Sequence, residues 1–479
     1  MYIHFIGIGG IGVSALARYF LAQGHKISGS DLVSSEITNS LKKLGAKISI
    51  GPHISRNVLD NVNLVIYSPA VLPNNPEIKK AKKRKIKCRS YPQVLGELTK
   101  KYFTIAVCGS HGKSTVAAMI GILLTKAGFD PTVIVGTKVK EFNDSNFRMG
   151  AQPTFRVVPR LVPRGSAILV IEADEHFASF LNYWPKIIVL TAIEADHLDF
   201  YKNFKNILKA FKKFILHLPK DGILVVNKDD KNIKKLLKSF DNNFSTIGQK
   251  LLYYSMKQKD YYPPATLPPK AGPSVKKLKM ILKVPGEHNI ANGLAALTVA
   301  RILKIPDKIS FKALSEFQGT WRHFDIKKLE IGNWKLEIVS DYAHHPTQIK
   351  ATLKAAREKF PKRKIWCIFQ PHQYQRTYYL FDDFVKVFRK APIDKLIITD
   401  IFDVAGREDK EIKKKVSSKK LVESIKYKVS SKKKEEILYI PTMKETTNYL
   451  RKNLQGKEVV IIMGAGNVYK LVDLLIDKK

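Results

Sequence analysis

Cysteine is nearly absent: Cys88, Cys108 and Cys367 are the only thiols in 479 residues. Their wide spacing excludes a disulfide framework and any CxxC zinc ribbon, and suits a reducing compartment such as the cytoplasm. Long apolar runs are missing too. Stretches such as Ile187–Leu190 and Val459–Met463 fall far short of the ~20 residues needed to span a bilayer, so no membrane insertion is expected. The chain starts in an apolar strand and a glycine turn with no basic leader, so no secretory signal is expected. Repeats of roughly 20–50 residues are also lacking. Acidic residues are scarce: 42 Asp and Glu stand against 83 Lys and Arg, a formal net charge of +41.

That charge invites a nucleic-acid reading. The densest basic runs (79–87, 413–420 and 432–434) contain no interleaved aromatics, and Lys lacks the planar fork with which Arg reads base edges. They read as solvated faces, with no dedicated nucleic-acid groove. What is abundant is core material, 44% hydrophobic and 10% aromatic, which argues against disorder. The length suits about two to four domains.

Short apolar runs alternate with helical-period stretches, the pattern of parallel sheets covered by helices. Strands are expected at 2–6, 64–67, 103–107, 167–171, 187–190, 223–226, 365–369, 396–399 and 459–463, with a short one at 26–28. Helices are expected at 12–22, 116–127 and 292–303. New strand-and-glycine units begin near 101 and 316. Residues 151–166 contain Leu-Val-Pro-Arg-Gly-Ser, a thrombin-type cleavage sequence, and carry no functional expectation. The Pro-rich stretch 261–273 reads as an ordered connection.

Ligands of open α/β sheets bind beyond the carboxyl ends of strands, and two glycine motifs lie there. Gly109-Ser110-His111-Gly112-Lys113-Ser114-Thr115 joins a strand to a helix. Glycines let backbone N–H groups crowd phosphate oxygens, the helix N-terminus adds positive potential, Lys113 can reach β/γ-phosphates and Ser114 can ligate Mg²⁺. Val107 replaces the first glycine of the usual phosphate-loop pattern. A Walker-type site also needs an acid at a neighbouring strand end. Glu172 is the first choice, ahead of Glu175, and His197 is a second ligand; otherwise Asp196 caps a helix and His197 is a surface histidine. The other motif, Gly7-x-Gly9-x-x-Gly12 with Asp31 after the second strand, is a dinucleotide fingerprint. Its glycines recognise pyrophosphate geometry, so a nucleotide-sugar fits as well as NAD.

In order, the motifs resemble the Mur ligase family from residue 2 to about 472. The matching pieces are His4-Phe5-Ile6-Gly7-Ile8-Gly9-Gly10, Ser28-Gly29-Ser30-Asp31, Asn75-Pro76-Glu77-Ile78, the 109–115 turn, Glu172-Ala173-Asp174-Glu175 and Ile193-Glu194-Ala195-Asp196-His197. Later pieces are Pro285-Gly286-Glu287-His288-Asn289, Phe317-Gln318-Gly319-Thr320, Asp341-Tyr342-Ala343-His344-His345-Pro346, Phe369-Gln370-Pro371-His372 and Gly464-Ala465-Gly466-Asn467. The His-His-Pro and Gln-Pro-His pieces favour the alanine-adding branch.

The resemblance implies an α/β chain of three domains: a Rossmann-like UDP-sugar domain (1–100), a central P-loop-type ATPase domain (101–315) and a C-terminal Rossmann-like α/β ligase domain (316–479). It implies that ATP with Mg²⁺ phosphorylates the carboxylate of UDP-N-acetylmuramate and that L-alanine attacks the acyl phosphate, in the cytoplasm, for peptidoglycan synthesis. A recycling ligase that adds a murein peptide to the same sugar is the alternative within the class. An NAD-binding oxidoreductase and a basic nucleic-acid-binding NTPase are the alternatives outside it. Oligomeric state, monomer or homodimer, is left open.

Carried over by position, Gly109 to Thr115, His288, Asn289, Asn292, Arg322 and Asp341 resemble the nucleotide contacts, with Asn289 and Asn292 doubling as helix-start caps. Ser114, Glu172 and His197 resemble the metal ligands. Gly9, Gly10, Gly12, Asp31, Ser68, His345, His372 and Arg376 resemble sugar-substrate contacts. Lys113, Glu172, His197 and His344 resemble the catalytic group. The sequence departs from the family at Ser114 (usually Thr), Ala192 (Asn), His323 (Arg), Gln373 (Arg) and around Phe177 (an acid). Lys212 falls where several relatives carry a carbamylated lysine, but reads better as a lysine on a solvated helix face.

Overall fold

The computed structural model describes residues 1–150, 161–163, 165–240, 249–257, 274–331, 334–404, 408–427 and 429–476. Most of the 151–166 segment and all of 261–273 lie outside them. The chain divides into two compact units, Met1–Glu194 with Lys205–Leu282 and Ala291–Gln318, and Ala195–Phe204 with Lys283–Ile290 and Gly319–Lys479. No helix among the described residues is long and apolar enough to cross a membrane.

The first unit carries two sheets. One is built from β1 (Tyr2–Ile6), β2 (Lys26–Asp31), β3 (Lys47–Ile50), β4 (Leu64–Tyr67) and β5 (Lys87–Ser90), all parallel, in the order β3-β2-β1-β4-β5. Chain direction across the sheet reverses between β1 and β4. This is the switch point where open α/β sheets bind ligands, and Gly7 and Ser68 follow those two strands. The other sheet contains β6 (Phe103–Cys108), β7 (Thr132–Val139), β8 (Ser145–Arg148), β9 (Ile168–Glu172), β10 (Ile187–Leu190), β11 (Ile223–Asn227) and β12 (Lys250–Tyr254), ordered β12-β11-β10-β6-β9-β7-β8. Only the β7–β8 pair is antiparallel. All six residues of β6 are buried, and so is every position from Thr115 to Leu124 of the following helix, Lys113–Lys126. Each fully buried Val, Leu or Ile contributes about 1.5–3 kcal/mol, so the glycine turn between them is anchored at both ends.

The second unit holds β13 (Asp325–Ile331), β14 (Trp334–Asp341), β15 (Ile365–Phe369), β16 (Lys395–Ile398), β17 (Ile437–Tyr439) and β18 (Val459–Met463), in the order β13-β14-β18-β15-β16-β17. The β13–β14 pair is antiparallel and the rest is parallel. Asp341, Gln370 and Gly464 therefore emerge side by side at the carboxyl ends of β14, β15 and β18. The core is packed on both faces of this sheet.

The expected strands are present, with ends shifted by a residue in places and β2 longer than 26–28. β3, β5, β7, β8, β12, β13, β14 and β17 lie outside the expected strands. Several are edge or near-edge strands, whose solvated side lets polar residues in and dilutes the apolar signal; β5 reads Lys-Cys-Arg-Ser. The helix expected at 292–303 is Glu287–Ile302, five residues earlier at its start.

Candidate active site

The phosphate turn is shaped by contacts that tolerate no side chain at its glycines. Gly109 has φ +126°, and a Cβ there would lie 2.3 Å from Thr191 Oγ1. Gly112 has φ +78°, and its Cβ would lie 2.5 Å from Asn292 Oδ1. Glycine alone suits such left-handed, crowded positions. The turn is tied to the strand beside it: Ser110 N donates to Ala192 O (2.8 Å), Thr191 Oγ1 to His111 O (2.5 Å) and Glu194 N to Ser110 Oγ (2.8 Å). His111 Nε2 lies 3.2 Å from Glu194 Oε2.

Gly112 caps the helix Lys113–Lys126 with no side-chain hydrogen bond. The first-turn N–H groups of a helix are the donors an anion recruits. Lys113 Nζ donates to Glu175 Oε2 (2.8 Å) and Oε1 (3.1 Å), with Asp174 Oδ1 at 3.7 Å. Burial works against the ammonium, but Glu175, Asp174 and Glu172 overcome it and push its pKa up. Lys113 is thus a fixed cation in a pocket of carboxylates. Glu172 ends β9, and its Oε2 accepts from Gly136 N (2.7 Å). Both Glu172 and Glu175 are expected near this strand end, with Glu172 alone expected as a site residue. The chain turns beyond Glu172, and the turn decides that Glu175 is the buried partner of Lys113.

The first glycine motif closes on itself. Gly9 N donates to Asp31 Oδ2 (2.8 Å) and Gly10 N to Gly7 O (3.1 Å). One oxygen of Asp31, the acid a dinucleotide fingerprint assigns to a ribose, therefore fastens the glycine turn. Gly10 caps the helix Ile11–Ala22 without a side-chain hydrogen bond. Ser68 faces Gly7 across the switch point, 3.2 Å from where a Gly7 Cβ would stand. Behind the turn, Glu77 is fully buried. Its carboxylate accepts from Ser30 Oγ (2.7 Å) and Asn57 Nδ2 (2.8 Å) and meets His4 Nε2 (2.9 Å) and His53 Nδ1 (3.1 Å). Burial alone would raise its pKa; the bonds to His4, Asn57 and Ser30 win and lower it.

In the second unit Asp196 does not act as a helix cap. It is buried, and its Oδ1 accepts from Arg376 Nε and Nη2, each at 3.0 Å. Against the burial cost, Arg376 foremost and then His197, His344 and His345 hold its carboxyl well below the usual range. Arg376 Nη1 also donates to His372 O (3.1 Å) and lies 3.2 Å from His372 Nδ1. The His372 ring stacks on Phe402, and His344 is 6.0 Å away, centroid to centroid. Burial and the Arg376 charge lower the pKa of both histidines, that of His372 to about 3. His345 caps the helix Pro346–Lys359, and His197 caps Leu198–Tyr201 with φ +52°. Gln373, where the family has Arg, has φ +73°, a conformation a side chain rarely adopts.

Two expected nucleotide contacts have clear tasks within this unit. Asp341 accepts from Phe324 N and Ala343 N, both at 2.7 Å, and from Thr352 Oγ1 at 3.3 Å. Arg322 donates to the carbonyls of Gly464 and Gly466, with Tyr469, Tyr342 and Trp321 rings around its guanidinium. His288 is depressed in pKa by burial, with Asp341 acting against that. Asn289 is no N-cap: it sits inside the first turn and donates back to Pro285 O (2.7 Å). Asn292 lies further along the same helix and, in the first unit, sits against Gly112. Lys212 Nζ donates to Ser239 O and lies 4.9 Å from the Phe240 ring centroid.

Glycine turns at the switch points of parallel sheets, with a lysine at a helix start among carboxylates, define a nucleotide-phosphate-binding α/β enzyme. Three family models match: "Mur ligase family, catalytic domain" over residues 2–103, "Mur ligase middle domain" over 107–300 and "Mur ligase, glutamate ligase domain" over 330–466. A UDP-N-acetylmuramate–L-alanine ligase from Acetivibrio thermocellus is 37% identical, covering 100% of this chain and 96% of the relative. One from Caldanaerobacter subterraneus subsp. tengcongensis is 38% identical, covering 99% and 97%. Among solved structures, the UDP-N-acetylmuramate–alanine ligase of Thermotoga maritima superposes with TM-score 0.75 at 25% identity, covering 99% of this chain and 98% of that one. The chain belongs to the Mur ligase family.

Proposed function

We propose that this chain is an ATP-dependent ligase that joins L-alanine to the carboxylate of UDP-N-acetylmuramate, a step of peptidoglycan precursor synthesis in the cytoplasm. The observation that carries the chemistry is Lys113, held as a cation at a helix N-terminus beside Glu175 and Glu172. The full-length likeness to alanine-adding relatives carries the substrate.

A carboxylate accepts an amine only after one of its oxygens becomes a leaving group. Transfer of the γ-phosphoryl from ATP makes that oxygen part of an acyl phosphate. The amine of alanine then adds to the carbonyl carbon, and the tetrahedral adduct expels phosphate. Such a transfer depends mainly on positioning and charge neutralisation. Gly109, Ser110, His111, Gly112, Lys113, Ser114 and Thr115 hold the phosphates, and Asn292, Asn289, His288, Arg322 and Asp341 complete the nucleotide site. The donor set Ser114, Glu172 and His197 would hold Mg²⁺: a hydroxyl, a carboxylate and an imidazole are mainly hard ligands, and Glu172 has one oxygen outside its bond to Gly136. Bound there, the ion would neutralise phosphate charge.

Gly9, Gly10, Gly12, Asp31 and Ser68 take the UDP end of the sugar acid. His344, His345, His372 and Arg376 face the acid and the amine. His344 and His372, depressed in pKa, are neutral near pH 7. Neutral imidazoles can accept the proton that the attacking ammonium must lose. The three domains run 1–100, 101–315 and 316–479.

The test is phosphate release from MgATP by the purified chain, omitting the sugar acid and the amino acid in turn. Release that requires both UDP-N-acetylmuramate and L-alanine is expected. Release that requires a murein tripeptide instead of alanine would assign the recycling reaction, and release without the sugar acid would overturn the reading.

A further inference from the structure

The β7–β8 hairpin makes polar contacts with both sites of the first unit. On β7, Gly136 N donates to Glu172 Oε2 (2.7 Å), and a Cβ at Gly136 would stand 2.6 Å from that oxygen. Glycine is what lets this strand approach the carboxylate at the end of β9. On β8, Asn146 Nδ2 donates to Ile11 O and to Ser14 Oγ (3.0 Å). Ser14 Oγ in turn donates to Ile11 O (2.8 Å). Ile11 is the first residue of the helix that Gly10 caps, so the hairpin is fastened to the start of that helix.

The strand pairing explains why the amide points away from its own sheet. Ile134 pairs with Phe147 and Val139 with Ser145, and the register shifts between them. Asn146 stands opposite that shift, and such irregularities re-aim a side chain. Asn146 and Ser14 are both buried. The two hydrogens of the amide match the two acceptors on the helix. Beside it, the Phe147 ring meets Tyr19 of the same helix edge-on, 6.3 Å between centroids.

The proposed function puts the UDP end of the sugar acid on the turn before Ile11 and the ATP phosphates beside Lys113 and Glu172. The carboxylate of the first ligand must then come within about 3–3.5 Å of the phosphorus of the second, and a misplacement of about 1 Å can cost roughly 10²-fold in rate. Neither glycine turn sets that spacing by itself. A hairpin bonded through one strand to Glu172 and through the other to the first helix does. We propose that Asn146 is a positioning residue for phosphoryl transfer: through its amide the β7–β8 hairpin holds the helix Ile11–Ala22 in register with Glu172 and so brings the sugar acid to the phosphate. This rests on the proposed function. Both amide hydrogens go to the helix, so the residue acts through it.

The test compares the wild-type chain with Asn146→Ala. ADP formation is followed in a single turnover with saturating ATP, UDP-N-acetylmuramate and L-alanine, and calorimetry measures the binding of UDP-N-acetylmuramate and of ADP separately. In the variant ADP formation is expected to slow roughly 10- to 100-fold. Each ligand is expected to keep its wild-type Kd and a full complement of sites per chain, which a mere folding defect would reduce. Wild-type speed, a fall in sites per chain that matches the slowing, or weaker binding of one ligand by the same factor would each overturn the inference. If Asn146→Ala does not fold, Ser14→Ala removes one of the two acceptors and is expected to show the same split with a smaller slowing; wild-type speed there would overturn the inference. These outcomes, in an active wild-type chain, leave the ligase reading standing. A wild-type chain that forms no ADP would overturn the ligase reading and this inference with it.

Discussion

Lys113 Nζ sits 2.8 Å from Glu175 Oε2 and 3.1 Å from Oε1, so the cation of the phosphate turn is held by a buried carboxylate. Removing one partner of a buried pair leaves the other charge uncompensated, at about 3–5 kcal/mol. Lys113→Ala is therefore expected to lower the unfolding midpoint as well as to cut phosphate release by roughly 10²–10³ or more, the usual scale for losing a preorganised charge. The double variant Lys113→Ala/Glu175→Gln should regain stability and stay inactive. Thermal melts and phosphate-release assays on the three proteins check this. A single variant that melts like wild type would show that the pair does not stabilise the fold.

The turn itself is sensitive to a single methyl group. Gly112→Ala places a Cβ 2.5 Å from Asn292 Oδ1 at a φ of +78°. The left-handed conformation costs about 1–2 kcal/mol and the contact adds to it. A raised KM for ATP is expected, and Asn292→Ala in the same chain should recover only part of it, because the backbone cost stays. Steady-state kinetics with varied ATP would show this.

The Glu77 network predicts a pH dependence of stability. Its folded pKa is lowered from the ordinary 4.5 despite burial, because His4, Asn57 and Ser30 favour the carboxylate. A lowered folded pKa gives stability that is present above 4.5 and is lost as pH falls below it. Glu77→Gln should melt well below wild type at neutral pH, and the gap should narrow in acid. A gap independent of pH would sink the assignment.

His372 gives a second window. Burial first and Arg376 next bring its pKa from 6.5 to about 3 in the folded chain. The unfolded chain takes up that proton first, so stability is full above 6.5 and falls as pH drops from 6.5 toward 3. His372→Gln is expected to flatten the melting-temperature profile across that interval. An unchanged slope would mean that His372 titrates normally in the folded state.

Much of this site was legible in the chain. Gly112 and Lys113 needed only a strand before them and a helix after them, a local relation that sequence carries. Gly9 and Asp31 were legible for the same reason, although the task of Asp31 in closing its own turn was not. The Lys113–Glu175 and Arg376–Asp196 pairs were hidden because the partners stand 62 and 180 residues apart. Strands such as β5 and β13 were hidden because edge positions need little apolar character. Lys212 could not be placed from periodicity, which identifies a helix face but not the carbonyl waiting beside it.

By itself the sequence determined the α/β class, the two glycine turns and membership of the Mur ligase family, because short-range patterns and ordered motifs encode them. The tertiary structure alone decided which carboxylate grips which cation, and that Asp31 fastens Gly9. Those are contacts between distant segments, set by strand order and packing, and no local pattern specifies which side chain arrives.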